Sequence, residues 1–465
     1  MDILLIDPPY KSLKGVVAES GYVSSLVSLA GFLRENGLEC GVLTCDLLLD
    51  YGPSQLWDFD VEKYAKGQKQ YKAAVSDDNH EIWKKIGRYI EEYNPMSVGI
   101  TYLTPCQNSV NQAAKIIKMV NPGTAVIVGG HHPSFIPEDV LGNPDIDYVV
   151  LGEGELALTA LVKNLKNKPV KPENIPGIYY RKENQVLHNP PGPLIKNLDD
   201  LPFAALDLLI DCDFKKYSRH MIGTARGCPY NCSFCSDRRL WNNRVRRRSI
   251  DHVVNEIKHL IKTRNPSGVD IIDGTFTYDR SYAIQFCDRL IEEGLEFKWH
   301  CTARYDNIDR QLIEKLKQAG CVALYFGLES GSQDILSSIN KRTTLKGIIE
   351  TSEMVAESGL TSIVSVLVGL PQETKQDLES TLSLMESLKA DIFDINNYIP
   401  LPGTAFYDDM STEQKINIDW GSVGYKSFDN YFTHHMTHEM LNQYLKQAYK
   451  IAGRKMKIFQ EKMAQ

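Results

Sequence analysis

Twice along the chain, short apolar runs alternate with segments whose apolar residues recur at helical spacing, and a proline-rich stretch separates the two series. The first series has runs at 3–6 (ILLI), 40–44 (CGVLT), 97–101 (SVGIT), 125–130 (AVIVGG) and 147–152 (DYVVLG). Leu26, Leu29, Ala30 and Leu33 share one helix face, and Gly37 stands at its cap. Parallel neighbours need a crossover, usually a helix, so this alternation predicts a doubly wound, Rossmann-like α/β sheet. Such sheets take ligands beyond the carboxyl ends of their strands. Those ends carry Asp7-Pro8-Pro9, Thr101-Tyr102, Gly129-Gly130-His131-His132 and Gly152-Glu153-Gly154-Glu155.

The second series has runs at 221–225, 268–272, 298–302, 322–328, 363–369 and 391–398. Between them lie the helical faces Val253, Ile257, Leu260, Ile261 and Ala283, Phe286, Cys287, Leu290, Ile291. Six units predict a partial (β/α)6 barrel, with its chemistry at the carboxyl ends of the strands. Between the two series, GIYYRKENQVLH (177–188) predicts a hairpin with Glu183-Asn184 near the turn, and the prolines after it forbid a regular element. The C-terminal segment predicts a helix with Leu441, Tyr444, Leu445, Ala448 and Ala452 on its apolar stripe. The expected division is 1–165, 166–215, 216–410 and a small helical region at 411–465.

The 465 residues are 43% hydrophobic and 24% charged, the balance of a soluble globular protein. A net charge of −7 offers no general attraction to nucleic acid, and no nucleic-acid partner is expected. No apolar run is long enough for a transmembrane segment, and MDILLIDPPY is not a signal peptide. Scattered single cysteines predict a reducing, cytoplasmic setting.

Three of the ten cysteines fall within eight residues, as C-x3-C-x2-C at Cys228, Cys232 and Cys235. Structural zinc wants four ligands, usually as two spaced pairs, and no second pair exists. Three thiolates on a cubane iron–sulfur cluster leave one iron open to another ligand. The other seven cysteines read as small buried hydrophobes.

The stretch ARGCPYNCSFC resembles the signature of the radical S-adenosylmethionine (SAM) enzymes. The resemblance implies a [4Fe–4S] cluster whose open iron chelates SAM and cleaves it reductively to a 5′-deoxyadenosyl radical. Phe234 matches the family's bulky position beside the adenine. Over residues 1–410 the chain resembles the branch with an N-terminal cobalamin-binding domain, through GGHHPSFIPEDVL (129–141), DYVVLGEGE (147–155), LDDLPFAALDLL (198–209), DGTFTYD (273–279), FGLESGSQDIL (326–336), GLPQET (369–374) and YIPLPGTAFYDD (398–409). This implies cobalamin contacts among Pro8, Thr101, Tyr102, Gly129, Gly130, His131, His132, Gly152 and Glu153. It implies SAM contacts among Asp273, Arg304, Glu329 and Gly369. Arg304 can fork a carboxylate, and Glu329 ends the fourth barrel strand; the plain structural alternative for Glu329 is a salt bridge, with Arg304 as a candidate partner. The implied activity is methyl transfer to an unactivated carbon of a small molecule, lipid or peptide, fed by an external low-potential electron donor.

The chain departs from the family twice. Gly274 stands where the family often has a second acid. The D-x-H-x-x-G motif that supplies a lower histidine ligand to cobalt is absent; Asp78-Asn79-His80 lacks its glycine. Two further clusters stand outside the resemblance. Six arginines between 238 and 249 are expected to pair with carboxylates or line a polar entrance rather than bind RNA. His434 and His438, four apart, would share a helix face, yet no second ligand group accompanies them, so a solvated helix start is the better reading. The rival functions are a non-methylating radical cyclase or rearrangement enzyme, an RNA-modifying methylthiotransferase, and a cobalamin-binding sensor.

Overall fold

The computed structural model describes residues 1–15, 23–48, 61–167, 170–183, 185–212 and 219–464. The first half is one seven-stranded sheet. Strands β1 (Ile3–Asp7), β2 (Cys40–Thr44), β3 (Ser97–Thr101), β4 (Ala125–Gly129) and β5 (Tyr148–Val150) run parallel, in spatial order β2-β1-β3-β4-β5. Their near-continuous apolar runs are what a sheet covered on both faces requires. Helices Ser24–Glu35 and Gly154–Lys166 cover one face, and Glu81–Tyr93 and Gln107–Val120 the other; Leu5 and Ile127 point to the first, Leu4 and Ile100 to the second. The strand order reverses between β1 and β3, the place where such sheets take ligands.

The expected hairpin is present as β6 (Ile178–Lys182) and β7 (Gln185–His188), but it is not a free-standing linker element. It joins the edge of the first sheet, with β6 antiparallel to β5. Glu183 takes the turn at φ 49°, and Asn184 lies outside the described residues.

The second half is an open, six-stranded, all-parallel half-barrel. It comprises β8 (Arg219–Ile222), β11 (Gly268–Ile271), β12 (Trp299–Ala303), β13 (Cys321–Glu329), β14 (Thr361–Val368) and β15 (Ile392–Asn397), in that spatial order. The cysteine loop does not leave the first barrel strand directly; a two-residue antiparallel ribbon, β9 (Ala225–Arg226) with β10 (Arg246–Arg247), intervenes. The C-terminal helix His438–Met463 buries the expected stripe against β15 and helix Lys375–Ser387. Among the described residues, no helix is long and apolar enough to cross a membrane.

Candidate active site between the two sheets

The cysteine loop is fixed at several points along its length. At its entrance, buried Asp273 at the end of β11 accepts from the backbone N–H of Thr224 (2.7 Å) and Ala225 (3.1 Å) and from the Thr224 hydroxyl. Arg247 stands 3.8 Å from the same carboxylate. Burial nonetheless raises the pKa of Asp273. The expected SAM contact is therefore a buttress for the loop. Further along, Ser233 donates from its N–H to the carbonyl of Ile339 and accepts from the N–H of Phe406, while Asn340 holds the Asn231 carbonyl at 2.7 Å. Phe234 is half-buried against the barrel core.

Gly227 and Gly274 explain themselves through this loop. Gly227 has φ 96°, and a Cβ there would collide with the Arg244 carbonyl oxygen. A Cβ on Gly274 would lie 3.3 Å from the Cβ of Cys228 and 3.0 Å from a carboxylate oxygen of Asp237. Asp237 already fills the place a second acid at 274 would need.

Among the described residues, no three His, Cys, Asp or Glu side chains converge closely enough to hold a single ion. The three cysteines therefore offer no mononuclear zinc site. Three cysteines on one loop suit a cubane cluster that leaves one iron open. Burial raises the thiol pKa values of Cys232 and Cys235, the latter to about 12, so thiolates would form there only against metal charge.

On the barrel side, Arg304 is buried and its fork is already taken. Asp306 accepts from Nε and Nη2 (2.9 Å each), the Lys341 carbonyl accepts at 2.5 Å, and the guanidinium lies 3.7 Å over the Tyr230 ring. Glu329 does not pair with Arg304, as the structural alternative had it. Its Oε1 accepts from Lys341 Nζ at 2.7 Å, both side chains being under one-tenth exposed. Glu329 sits at a bulge with φ 67°, which turns its carboxylate off the strand's regular alternation.

Gly369, at φ 91°, packs against Leu441 and donates to Glu373 Oε2 at 2.7 Å, and it does not line the cavity between the two sheets. Glu373 is fully buried and its second oxygen has no partner among the described residues. Burial outweighs the N–H groups of Gly369 and Leu370 and raises its pKa from 4.5 to about 8. Between those values the folded state holds a proton that the unfolded state has lost. Stability should fall with rising pH across that window, by up to about 1.4 kcal/mol per pH unit. Glu373→Gln should melt near the parent at pH 5 and increasingly above it toward pH 8. A melting-temperature gap that stays constant over that range would contradict the assignment.

A cavity of about 490 Å³ lies between the two sheets. Thr101, Gly129, Gly130, His131, Gly152 and Glu153 line it from the first half, and Arg226, Gly227, Asp237, Trp241 and Gly274 from the second. It runs over the first sheet between the starts of helices Ser24–Glu35 and Gly154–Lys166, past Ser24, Ser25 and Leu158. A Cβ on Gly152 would meet nothing within 4 Å. This mainly apolar cleft over the switch point has the position and mixed polarity that suit one face of a group such as cobalamin.

Three expected contacts do not line it. Pro8 is buried outside the cavity. Tyr102 and His132 stack on each other (4.6 Å between centroids) inside the fold, and His132 Nδ1 bonds the Thr104 hydroxyl at 3.0 Å. Burial lowers the His132 pKa to about 3. Gly130, at φ 117°, also passes close to the Tyr102 backbone, whose carbonyl oxygen would lie 2.9 Å from an added Cβ. His80 caps helix Glu81–Tyr93 by accepting from the Ile82 N–H. His434 and His438 do not share a helix face: the helix begins at His438, and His434 lies before it with its N–H on the Pro371 carbonyl.

Sequence reading also missed a charge cluster across the seam. Glu153, far from being free to meet a ligand, accepts from Arg226, from Arg246 (2.9 Å) and from the Ile195 N–H (2.8 Å); Glu155 accepts from Arg226 as well. Burial works against ionising Glu153, but the two arginines prevail and hold it below the usual carboxylate range. Two more arginines of the 238–249 cluster pair with carboxylates, Arg248 with Glu256 (2.6 Å) and Arg239 with Asp408.

Comparison with known proteins agrees with this geometry. Residues 10–162 match the B12 binding domain and residues 222–385 the radical SAM superfamily. An uncharacterised methyltransferase of Pyrococcus horikoshii is 32% identical over 416 residues, covering 88% of this chain and 83% of the relative. The anaerobic magnesium-protoporphyrin IX monomethyl ester cyclase of Cereibacter sphaeroides is 28% identical, covering 72% and 56%. The structure of the radical SAM methyltransferase TsrM from Kitasatospora setae, with tryptophan and a SAM analogue bound, superposes with a TM-score of 0.69 at 18% identity, over 87% of this chain and 75% of that one, which places the fold. Two adjoining family domains, and a relative matched along most of both chains, make this protein a member of the cobalamin-dependent radical SAM enzymes, whose cofactors are a [4Fe–4S] cluster, SAM and cobalamin.

Proposed function

We propose that the protein transfers a methyl group to an unactivated carbon of a small molecule. One observation carries this reading: a single cavity, lined by the strand ends of the first sheet, reaches the loop that bears Cys228, Cys232 and Cys235. The three cysteines would hold the cluster, with Phe234 and Glu329 toward SAM; Thr101, Gly129, Gly130, His131 and Gly152 would face cobalamin. When bound, the cluster supplies the electron that cleaves SAM and cobalamin supplies a methyl carrier. The chain's own task is positioning and exclusion of water. Asp273 fixes the loop entrance, Arg304 braces Tyr230 within the loop, and the second oxygen of Glu329 would accept from a ligand's ammonium or hydroxyl.

Reduction by an external low-potential donor belongs to the same reading, and the scattered single cysteines of the sequence support a cytoplasmic setting. Lipid and peptide substrates are further classes the same chemistry would serve. The cyclase relative favours a second reading, radical ring formation without methylation. Anaerobic reconstitution with cobalamin, methyl-labelled SAM and reductant, followed by product analysis of a cell extract, separates them. Label in a product heavier by one methylene supports methyl transfer, and an unlabelled product losing hydrogen supports the cyclase.

A further inference from the structure

We propose that Arg226 is a positioning residue that couples occupancy of the inter-domain cavity to the placement of the cysteine loop. The inference rests on the reading that the cavity takes cobalamin and the loop takes the cluster. Arg226 and Arg246 face each other across the β9–β10 ribbon, and both guanidiniums lie over Trp241, at 5.6 and 5.7 Å from its ring. Like charges directly opposite destabilise a strand pair. Here carboxylates from the other half of the molecule relieve them: Glu153 bridges both arginines, and Glu155 takes the second arm of Arg226. The side chains are 21% (Arg226), 11% (Arg246), 5% (Glu153) and 7% (Glu155) exposed, so solvent screens these pairs little. Nε and Nη2 of Arg246 are buried without partners among the described residues, so besides Glu153 this guanidinium is held only by the Ile195 carbonyl, at 2.6 Å from Nη1.

Transmission to the cysteines is short. Only Gly227 separates Arg226 from Cys228, and its backbone is pressed against the Arg244 carbonyl in a left-handed conformation that leaves little slack. Glu153, Glu155, Arg226 and Gly227 all line the cavity, as does Gly274, which abuts Cys228. A ligand that seats against this wall acts on the clamp and on the loop together. Coupling between two binding events is reciprocal, so it is measurable without turnover.

The test is the affinity of hydroxocobalamin, by equilibrium dialysis under nitrogen, for cluster-loaded and iron-free protein. The parent should bind more tightly when loaded, by at least about fivefold. In Arg226→Gln the ratio should fall to about one, with Arg226→Lys, which keeps the charge but loses one arm, in between. Glu155→Gln, which leaves the Arg226–Glu153 pair intact, should lower the ratio too and serves if Arg226→Gln fails to fold. The electron paramagnetic resonance signal of the reduced cluster should respond to cobalamin in the parent and not in Arg226→Gln. An equal ratio in parent and variants, or no ratio in a parent that binds both groups, overturns the coupling. A parent that binds no cobalamin in either state overturns the reading of the cavity itself.

Discussion

Replacing Cys232 with Ala is expected to abolish reductive cleavage of SAM, lowering 5′-deoxyadenosine formation by at least about a thousandfold, or about 4 kcal/mol. The loop itself should survive the change. Ser233 stays tied to Ile339 and Phe406, Asn231 to Asn340, and the entrance to Asp273. The loss would therefore come from the missing thiolate, not from a collapsed segment. Cys228→Ala and Cys235→Ala should behave alike, because a three-cysteine cluster has no spare protein ligand. Iron content and the visible absorption of the cluster should fall with activity, while the melting temperature of iron-free protein should stay near that of the parent. Parent rates in all three variants would remove the cysteines from the site.

The second large effect is at Lys341. Its ammonium and the Glu329 carboxylate form a buried pair at 2.7 Å where β13 ends. Lys341→Met leaves the carboxylate in place without its cation, a change that costs about 3–5 kcal/mol in buried pairs. Adding Glu329→Gln removes the stranded charge and should restore most of that stability, so the two substitutions together should be far less damaging than their sum. SAM affinity should not return with stability, since the double variant lacks the carboxylate that would meet the ligand. Thermal unfolding and SAM binding, measured on the same four proteins, separate the two effects. A Lys341→Met variant that melts with the parent would show that the pair is not closed in solution.

How far the sequence reveals this structure depends on whether the forces at each place are local. Strands β2 and β3 are legible to the residue because each is an apolar run buried on both faces of a parallel sheet. The first barrel strand is displaced by two residues, since Arg219 and His220 look like loop. Only the fold brings Arg219 to Asp270, at the edge of the sheet. Helix Val61–Val75 escapes notice because its sequence is mostly polar, with buried Gln68 reaching the carbonyls of Gly421 and Ser422, more than 350 residues away in the chain. The cysteine spacing and the strand-end glycines are local and legible. The partners that fix them are not: Glu153 meets Arg226 across 73 residues, and Glu329 chooses Lys341 over Arg304 because a bulge and a positive φ re-aim it. His434 misleads for the same reason, a four-residue spacing being helical only where the helix has already begun.

The most direct test follows the methyl group itself. Reconstituted protein with cluster, cobalamin and reductant, given SAM labelled in its methyl carbon, should pass that label to a carbon of a small-molecule acceptor from cell extract, and should form 5′-deoxyadenosine only when Cys228, Cys232 and Cys235 are intact. Cleavage of SAM with all label left in methionine and none in any product would contradict methyl transfer.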